Sequence, residues 1–142
     1  KGTLSYNERG TIYHARSLRV RGGCTFTQMA NTPFQGMSAD GALNALWLVA
    51  RECYSDESSP LFGCRPVLYI HDEIVIEAPV DKVHEAGLRL SELMVKGMQP
   101  FTPDVPIQAS PVAMDRWSKD AEPIYDDDGI LQVWYCDDKF AC

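Results

Sequence analysis

A histidine and two acids interrupt an apolar stretch near the middle of this chain, in VLYIHDEIVIEAP at residues 67–79. The runs 67–70 and 74–76 are β-branched, aromatic or aliphatic, so they predict a β-hairpin with His71, Asp72 and Glu73 at its tip. Tight hairpin tips usually carry Gly, Asn or Pro, and this tip has none of them. We therefore interpret these residues as having a chemical function. The alternative is a solvated tip that is acidic by chance.

The chemistry that suits such a tip is the binding of a hard cation. In extended backbone Asp72 would project to one face of the hairpin, and His71 and Glu73 to the other. A carboxylate held on a stiff hairpin provides half of a site for Mg²⁺, which takes oxygen ligands from one or two carboxylates and from substrate phosphates.

Length and composition indicate one globular domain. The chain has 142 residues, of which 45% are hydrophobic and 23% charged. No apolar run approaches the roughly 20 residues that span a bilayer, and the first residues lack the apolar core of a signal peptide, so we expect a cytoplasmic protein. The cysteines are odd in number and widely spaced, which predicts free thiols; they are Cys24, Cys53, Cys64, Cys136 and Cys142.

Charge is divided unevenly along the chain. Residues 1–23 carry five bases and one acid, a net charge of +4, so the remainder carries −11 of the total of −7. A local basic cluster such as RSLRVR can contact a nucleic-acid backbone although the whole protein is acidic. Arginines on an ordinary solvated strand explain the cluster equally well.

The elements that would position these groups begin with a hairpin and a helix. Residues 11–14 and 18–21 predict two strands of a hairpin. A helix is predicted over about residues 40–54, with a kinked or interrupted entry at Pro33 and Gly36. Its predicted apolar face consists of Leu43, Leu46, Trp47, Ala50 and Tyr54.

After the central hairpin, Asp81 is expected to cap a second helix. Residues 105–114 predict a strand, and the tail a turn at Asp128 and Gly129 followed by a short edge strand. The order of hairpin, helix, hairpin, helix and strand predicts an α+β fold with an antiparallel sheet. The apolar stripe of the second helix is Val83, Ala86, Leu90, Leu93, Met94 and Met98.

Two motifs together resemble the family A DNA polymerases of bacteria and phages. VLYIHDEIVIEAP resembles the family's third conserved motif, in which a His-Asp-Glu tip joins two strands of the palm. NTPFQGMSAD at residues 31–40 resembles its Asn-x-Pro-x-Gln-Gly-x-x-Ala-Asp helix. LRVRGG and VPIQASPVAMDRW fall in the family's order, so the resemblance extends from about residue 10 to Trp117.

The resemblance implies that residues 1–142 are the C-terminal palm portion of a DNA-directed DNA polymerase. Its parts would be a basic hairpin at 1–23, a palm core at 24–118 and an acidic tail at 119–142. An antiparallel palm sheet, made of the His-Asp-Glu hairpin and a further strand, would pack on two helices.

The resemblance also implies roles for the tip residues. Asp72 would help to hold two Mg²⁺ ions that activate the primer 3′-hydroxyl and stabilise the transferred nucleotidyl group. Glu73 would support the metal site, and His71 would lie near the primer terminus.

DNA contacts are implied elsewhere. Asn31 and Gln35, four residues apart on one helix face, would contact the minor groove, where every base pair presents an acceptor. Arg16, Arg19 and Arg21 would contact phosphates, with Arg19 and Arg21 on the same strand face. Helix capping or core hydrogen bonding is the alternative explanation of the two amides.

The sequence lacks several features of the family pattern, and these gaps limit the activity expected of the chain. Thr27 stands where many members have an arginine. Two-metal chemistry needs a further carboxylate, which family members take from a strand upstream of these motifs. Neither that strand nor the nucleotide-binding fingers helix is found in the sequence. We therefore expect the chain to bind primer-template DNA and dNTP only with a complementary chain or segment, and to be inactive alone.

Three alternatives remain open at this stage. They are a non-catalytic DNA-binding accessory module, a purely structural interaction domain, and a metal-dependent phosphodiesterase that uses Asp40 or Asp115 as its second acid.

Overall fold

The computed structural model describes residues 9–136. Lys1, Glu8 and Cys142, with the outer parts of the basic segment and of the acidic tail, lie outside this range. The elements are β1 (Gly10–Tyr13), β2 (Val20–Cys24), α1 (Phe26–Ser55), β3 (Arg65–Ile70), β4 (Glu73–Glu77), a 3₁₀ turn (Val80–Lys82), α2 (Val83–Met98), β5 (Ala113–Met114), β6 (Ile124–Tyr125) and β7 (Leu131–Trp134).

The strands form three separate small sheets. β1 pairs with β2 and β3 with β4, both antiparallel, which confirms the two predicted hairpins. The predicted strand at 105–114 is wrong except for β5, because Pro106 and Pro111 have no N–H to donate to a ladder. β5 pairs in parallel with β7, in a sheet separate from the β3–β4 hairpin. Within residues 9–136 no further strand joins that hairpin.

Helix α1 is continuous through Pro33 and Gly36, so of the kinked or interrupted entry that the sequence predicted, the interruption is wrong. Thr25 and Gln28 form a capping box, in which Gln28 accepts from the Thr25 N–H at 2.9 Å. Pro33 lies inside the helix and removes one backbone donor. The cap and the packing of this segment maintain the helix, because tertiary contacts contribute more to helix stability than local propensity does.

The buried face of α1 also differs from the predicted one. Its largest predicted members, Leu43, Trp47 and Tyr54, are 51%, 60% and 63% exposed. The buried row consists instead of small residues, because α2 approaches closely: a Cβ on Gly97 would lie 2.5 Å from the Ala45 Cα. This row is Gly41, Ala45, Val49 and Cys53.

Helix α2 carries the predicted apolar stripe. Ala86 and Leu93 are buried, and Leu90 and Met94 pack against them, so the period of 3.6 is confirmed here. The prediction that Asp81 caps the helix is wrong, since the N-cap is Lys82 and it makes no side-chain cap hydrogen bond. The core contains Ala45, Val49, Cys53, Leu61, Cys64, Ile74, Ala86 and Leu93.

A buried acid links the two helices. Glu52 of α1 is buried and accepts two hydrogen bonds from Arg89 of α2, at 2.8 and 2.6 Å, and one from the Ser59 hydroxyl at 2.6 Å. The hydrogen bonds from Arg89 hold the pKa of Glu52 below its ordinary value.

The cysteines are only partly as expected. Cys24, Cys53 and Cys64 are buried free thiols, and burial raises the pKa of Cys53 to about 11. Cys136 is disulfide-bonded, which contradicts the expectation of free thiols for that residue. Cys142 lies outside the described residues.

The tail forms the predicted turn. Gly129 has a φ of +78°, and Asp126 accepts hydrogen bonds from the N–H groups of Asp128 and Ile130. The tail is attached to α2 by His84, whose Nδ1 accepts from the Leu131 N–H at 3.0 Å. Neither helix in residues 9–136 has the length and apolar character of a membrane span.

Candidate metal and nucleic-acid site

The β3–β4 hairpin turns within two residues. Ile70 pairs with Glu73, so His71 and Asp72 alone form the loop. His71 has a φ of +53°, in the left-handed region that favours glycine and costs another residue about 1–2 kcal/mol. The alternation of faces expected from extended backbone therefore does not apply at His71. Strain of this kind is often retained where a side chain has a function.

The three tip side chains are exposed and unpartnered. His71, Asp72 and Glu73 all face solvent, and within residues 9–136 none of them takes part in a hydrogen bond or an ion pair. Both carboxylates therefore keep all their oxygen lone pairs available for a cation or for a donor from another molecule.

One side of this hairpin packs against the main core. Ile74, one residue after Glu73, is 7% exposed and belongs to the main core. Tyr69 and Ile76 pack against the same cluster. The tip is thus a solvated turn on a hairpin that one buried and two partly buried side chains attach to the core, and such support favours a preorganised ligand group.

The tip fits part of a metal site. Asp72 and Glu73 supply the oxygen donors that Mg²⁺ prefers. No group of three or more His, Cys, Asp or Glu in residues 9–136 is arranged to hold a metal ion. The remaining ligands would have to come from substrate phosphates, water or a carboxylate outside the described residues.

The two acids considered for a self-contained phosphodiesterase are already engaged. Asp40 is paired with Arg19 of β1–β2, and the Arg19 hydrogen bond holds the Asp40 pKa below its ordinary value. Asp115 lies 3.5 Å from the Arg116 guanidinium and accepts from the Cys136 N–H. Neither contact involves the tip residues, so this alternative gains no support.

Asn31 and Gln35 lie on the exposed surface of α1. In the described part of the chain neither side-chain amide makes a hydrogen bond. The alternative explanation of capping or core hydrogen bonding is therefore wrong, since Thr25 and Gln28 cap the helix. The minor-groove role of the two amides stays a prediction.

The three arginines of the β1–β2 region contact the chain's own acceptors. Arg19 bonds Asp40 through Nε and Nη2, and Arg21 Nη1 donates to the Thr32 hydroxyl at 2.9 Å. Arg16 donates to the Phe101 carbonyl at 3.0 Å. Arg19 lies just before β2 and Arg21 lies within it, and both side chains bond residues of α1. Contact of these arginines with phosphate stays a prediction. Such a contact would use the guanidinium N–H groups that do not bond acceptors of this chain.

One buried residue was missed by the sequence reasoning. The ring of His14 is 7% exposed, and neither ring nitrogen has a partner in the described residues. It lies against Gly36, where an added Cβ would be 2.2 Å from the His14 Cε1. His14 directly follows β1, so alternation extended by one residue beyond Ile12 could have indicated that it faces inward.

The chain is similar in part to several DNA polymerases. The chain is 29% identical over 96 residues to DNA polymerase I of Aquifex aeolicus, an alignment that covers 68% of this chain and 16% of that protein. Two rice proteins, the chloroplastic DNA polymerase I A and the mitochondrial DNA polymerase I B, are each 35% identical over 66 residues. Those alignments cover 46% of this chain and 6% of each rice protein.

No family model and no solved structure matches the chain. The partial similarities support a relationship to DNA polymerases. The chain spans at most about one-sixth of the length of these relatives.

Proposed function

We propose that this chain is the C-terminal palm portion of a family A DNA-directed DNA polymerase. It would take part in template-dependent nucleotidyl transfer together with a segment that supplies a second carboxylate and the fingers. The observation that carries the proposal is the strained, unpartnered His71-Asp72-Glu73 tip, in a chain whose relatives are DNA polymerases.

The tip residues would act as ligands and orienting groups. Asp72 would place its carboxylate beside the primer terminus, Glu73 would support it, and His71 would contact the terminus. Two Mg²⁺ ions, when bound, would supply Lewis-acid stabilisation of the charge that develops on the oxygens of the phosphoryl group. The chain's own contribution is to hold the carboxylate oxygens of Asp72 and Glu73 on a turn whose strands are attached to the core by Ile74, Tyr69 and Ile76.

Asn31 and Gln35 would provide the contact with duplex DNA. Both are exposed amides one helical turn apart, and a minor groove offers an acceptor at every base pair. Their unpartnered state supports this role, because an amide with no internal partner can donate to DNA without breaking a contact.

A missing segment is supported by exposed apolar side chains on α1. Leu43 and Trp47 lie one turn apart and Tyr54 two turns beyond Trp47, all more than half exposed. Arg51 lies over the Trp47 ring at 5.3 Å from its centroid. Exposed apolar patches of this kind often mark a protein interface.

The test is templated primer extension with Mg²⁺ by the complete native assembly. Asp72→Asn should abolish extension, since it removes a charged oxygen ligand at an exposed position without disturbing the fold. Glu77→Gln is the matched control, because Glu77 is an exposed acid at the far end of the same hairpin. Equal loss in the two variants, or full extension by Asp72→Asn, would contradict the proposal.

A second candidate is a non-catalytic DNA-binding accessory module. It is favoured by the finding that no third acidic or His/Cys ligand accompanies the tip in residues 9–136. This module would bind primer-template DNA with an affinity that Asp72→Asn leaves unchanged and Asn31→Ala weakens. Measuring both variants in a DNA-binding titration with and without Mg²⁺ separates the candidates.

A further inference from the structure

Three residues on one face of α1 contact side chains of the β1–β2 hairpin. Thr32, Gly36 and Asp40 follow one another at four-residue spacing, so they lie on one helix face. Their partners are Arg21, His14 and Arg19 respectively.

The contact with Asp40 is the most specific of the three. Arg19 Nε lies 2.9 and 3.2 Å from the two Asp40 carboxylate oxygens, and Nη2 donates to the first of them. The Asp40 side chain is only 11% exposed, whereas that of Arg19 is 43% exposed. A two-pronged guanidinium–carboxylate pair fixes orientation as well as distance.

The other two contacts reinforce this geometry. Arg21 Nη1 donates to the Thr32 hydroxyl at 2.9 Å, one end of the row. The His14 ring fills the space over Gly36, in which no larger residue fits. The basic hairpin is therefore tied to the helix at three successive turns.

The same helix segment carries the exposed amides. Residues 31 and 35 precede 32 and 36 by one position each, so their row lies about 100° around the helix from the covered row. The hairpin thus borders the Asn31–Gln35 surface and leaves it open.

We propose that Asp40 is a positioning residue for DNA: by fixing Arg19 it holds the basic hairpin beside Asn31 and Gln35, so that the two elements present one rigid DNA surface. This inference rests on the proposed function. A positioning role and a simple charge effect predict changes of opposite sign in DNA binding when Asp40 is removed. Removing an acid should strengthen attraction to phosphates, whereas removing a positioning contact should weaken binding.

The test compares Asp40→Ala, Arg19→Ala and the double variant in the full chain within its native assembly. The matched control is Glu57→Ala, which removes an exposed acid next to the end of α1. Two quantities are measured: hydrogen exchange of the His14 amide, which donates to the Arg19 carbonyl at 2.9 Å, and the Kd for primer-template DNA.

We expect Asp40→Ala to speed exchange of this amide and to raise the Kd, each about fivefold, the factor that corresponds to about 1 kcal/mol. The double variant should exchange no faster than Arg19→Ala, because Asp40 acts through Arg19. Asp40→Glu, which keeps the carboxylate, should recover part of both effects.

Two results would overturn the inference. Exchange in Asp40→Ala equal to that in Glu57→Ala would show that Asp40 does not position the hairpin. Faster exchange with unchanged or tighter DNA binding would show that the hairpin position is irrelevant to DNA. Failure of the proposed function is distinguishable, because the wild-type protein would then not bind primer-template DNA at all while the exchange data still report on Asp40.

Discussion

The two hairpins of this protein use their charged residues in opposite ways. In β1–β2 the charged side chains of Arg19 and Arg21 point toward α1 and bond its acceptors. In β3–β4 the charged tip residues Asp72 and Glu73 point to solvent, and within residues 9–136 they have no partner. Both hairpins are antiparallel and of similar length, so secondary structure does not distinguish them.

The difference indicates what each set of charges contributes. Arginines that are already bonded hold one element against another, and their loss should affect the position of β1–β2. Acids that lack partners contribute nothing to stability and remain available to an external ligand, so their loss should affect function alone. The predictions below test this contrast, beginning with the largest expected effect on folding.

The packing beneath the β3–β4 tip should dominate its stability. Ile74→Ala removes buried atoms from the core and should lower the free energy of unfolding by about 2–5 kcal/mol. Val67→Ala, on the exposed side of the same hairpin, should cost less than about 0.5 kcal/mol. Urea unfolding of both variants measures these free energies. Equal midpoints would contradict the burial of Ile74 beside the solvated tip.

The buried acid on the C-terminal half of α1 should behave unlike the acids at the tip. Glu52→Gln should lower the free energy of unfolding at pH 7 by about 1–3 kcal/mol, because Arg89 loses its buried charged partner and keeps only the exposed Glu92. Asp72→Asn, at the exposed tip, should leave the free energy of unfolding unchanged and serves as the control.

The same substitution should alter the dependence on pH. Hydrogen bonds from Arg89 hold the pKa of folded Glu52 below its ordinary value of 4.5. The stabilisation is therefore present above about pH 4.5 and lost as pH falls through the lowered pKa. Urea midpoints between pH 7 and pH 3 should fall more steeply below pH 4.5 in the wild type than in Glu52→Gln. Parallel curves would show that the pair is not formed.

The attachment of β1–β2 to α1 should be sensitive to volume at Gly36. Gly36→Ala forces the His14 ring out of its position and should cost about 1–2 kcal/mol, after allowance for the better helix propensity of alanine. Hydrogen exchange should rise in β1–β2 and stay unchanged in β3–β4. In a His14→Ala background the added methyl group has room, so persistence of the penalty there would exclude a clash with His14.

The strained turn at the β3–β4 tip should give the smallest effect. His71→Gly relieves about 1–2 kcal/mol of left-handed strain but adds about 0.5–1 kcal/mol of freedom to the unfolded chain, so a net gain of about 0.5 kcal/mol is expected. His71→Ala keeps the Cβ and should show no such gain. A loss of stability in His71→Gly would mean that the imidazole itself stabilises the turn.

Local pattern was a good guide where it specified short-range structure. Runs of strand-forming residues predicted both hairpins, the 3.6-residue period predicted the buried stripe of α2, and Gly129 marked the turn in the tail. The acidic tip was also apparent from sequence, because a tight turn without Gly, Asn or Pro is unusual between two strands.

The pattern misled wherever close contact between elements decided the outcome. The large side chains of α1 predicted a buried face with Trp47, but α2 approaches so near that small residues such as Gly41 and Ala45 occupy the contact. Pro33 predicted an interruption, yet the helix continues through it. Local helix propensity differs by less than about 1 kcal/mol among most residues and costs about 3 kcal/mol for proline, and the close packing of the two helices overrides it here.

The amino-acid sequence by itself determined the order of most elements, the hairpin that carries His71, Asp72 and Glu73, and the position of Asn31 and Gln35 on one helix. Only the tertiary structure decided which charges were free to act. Arg19 and Asp40 are 21 residues apart in sequence, and Glu52 and Arg89 are 37 apart, so no local pattern shows that they meet. An ion pair depends on distance in space, and folding alone brings such residues within reach of each other.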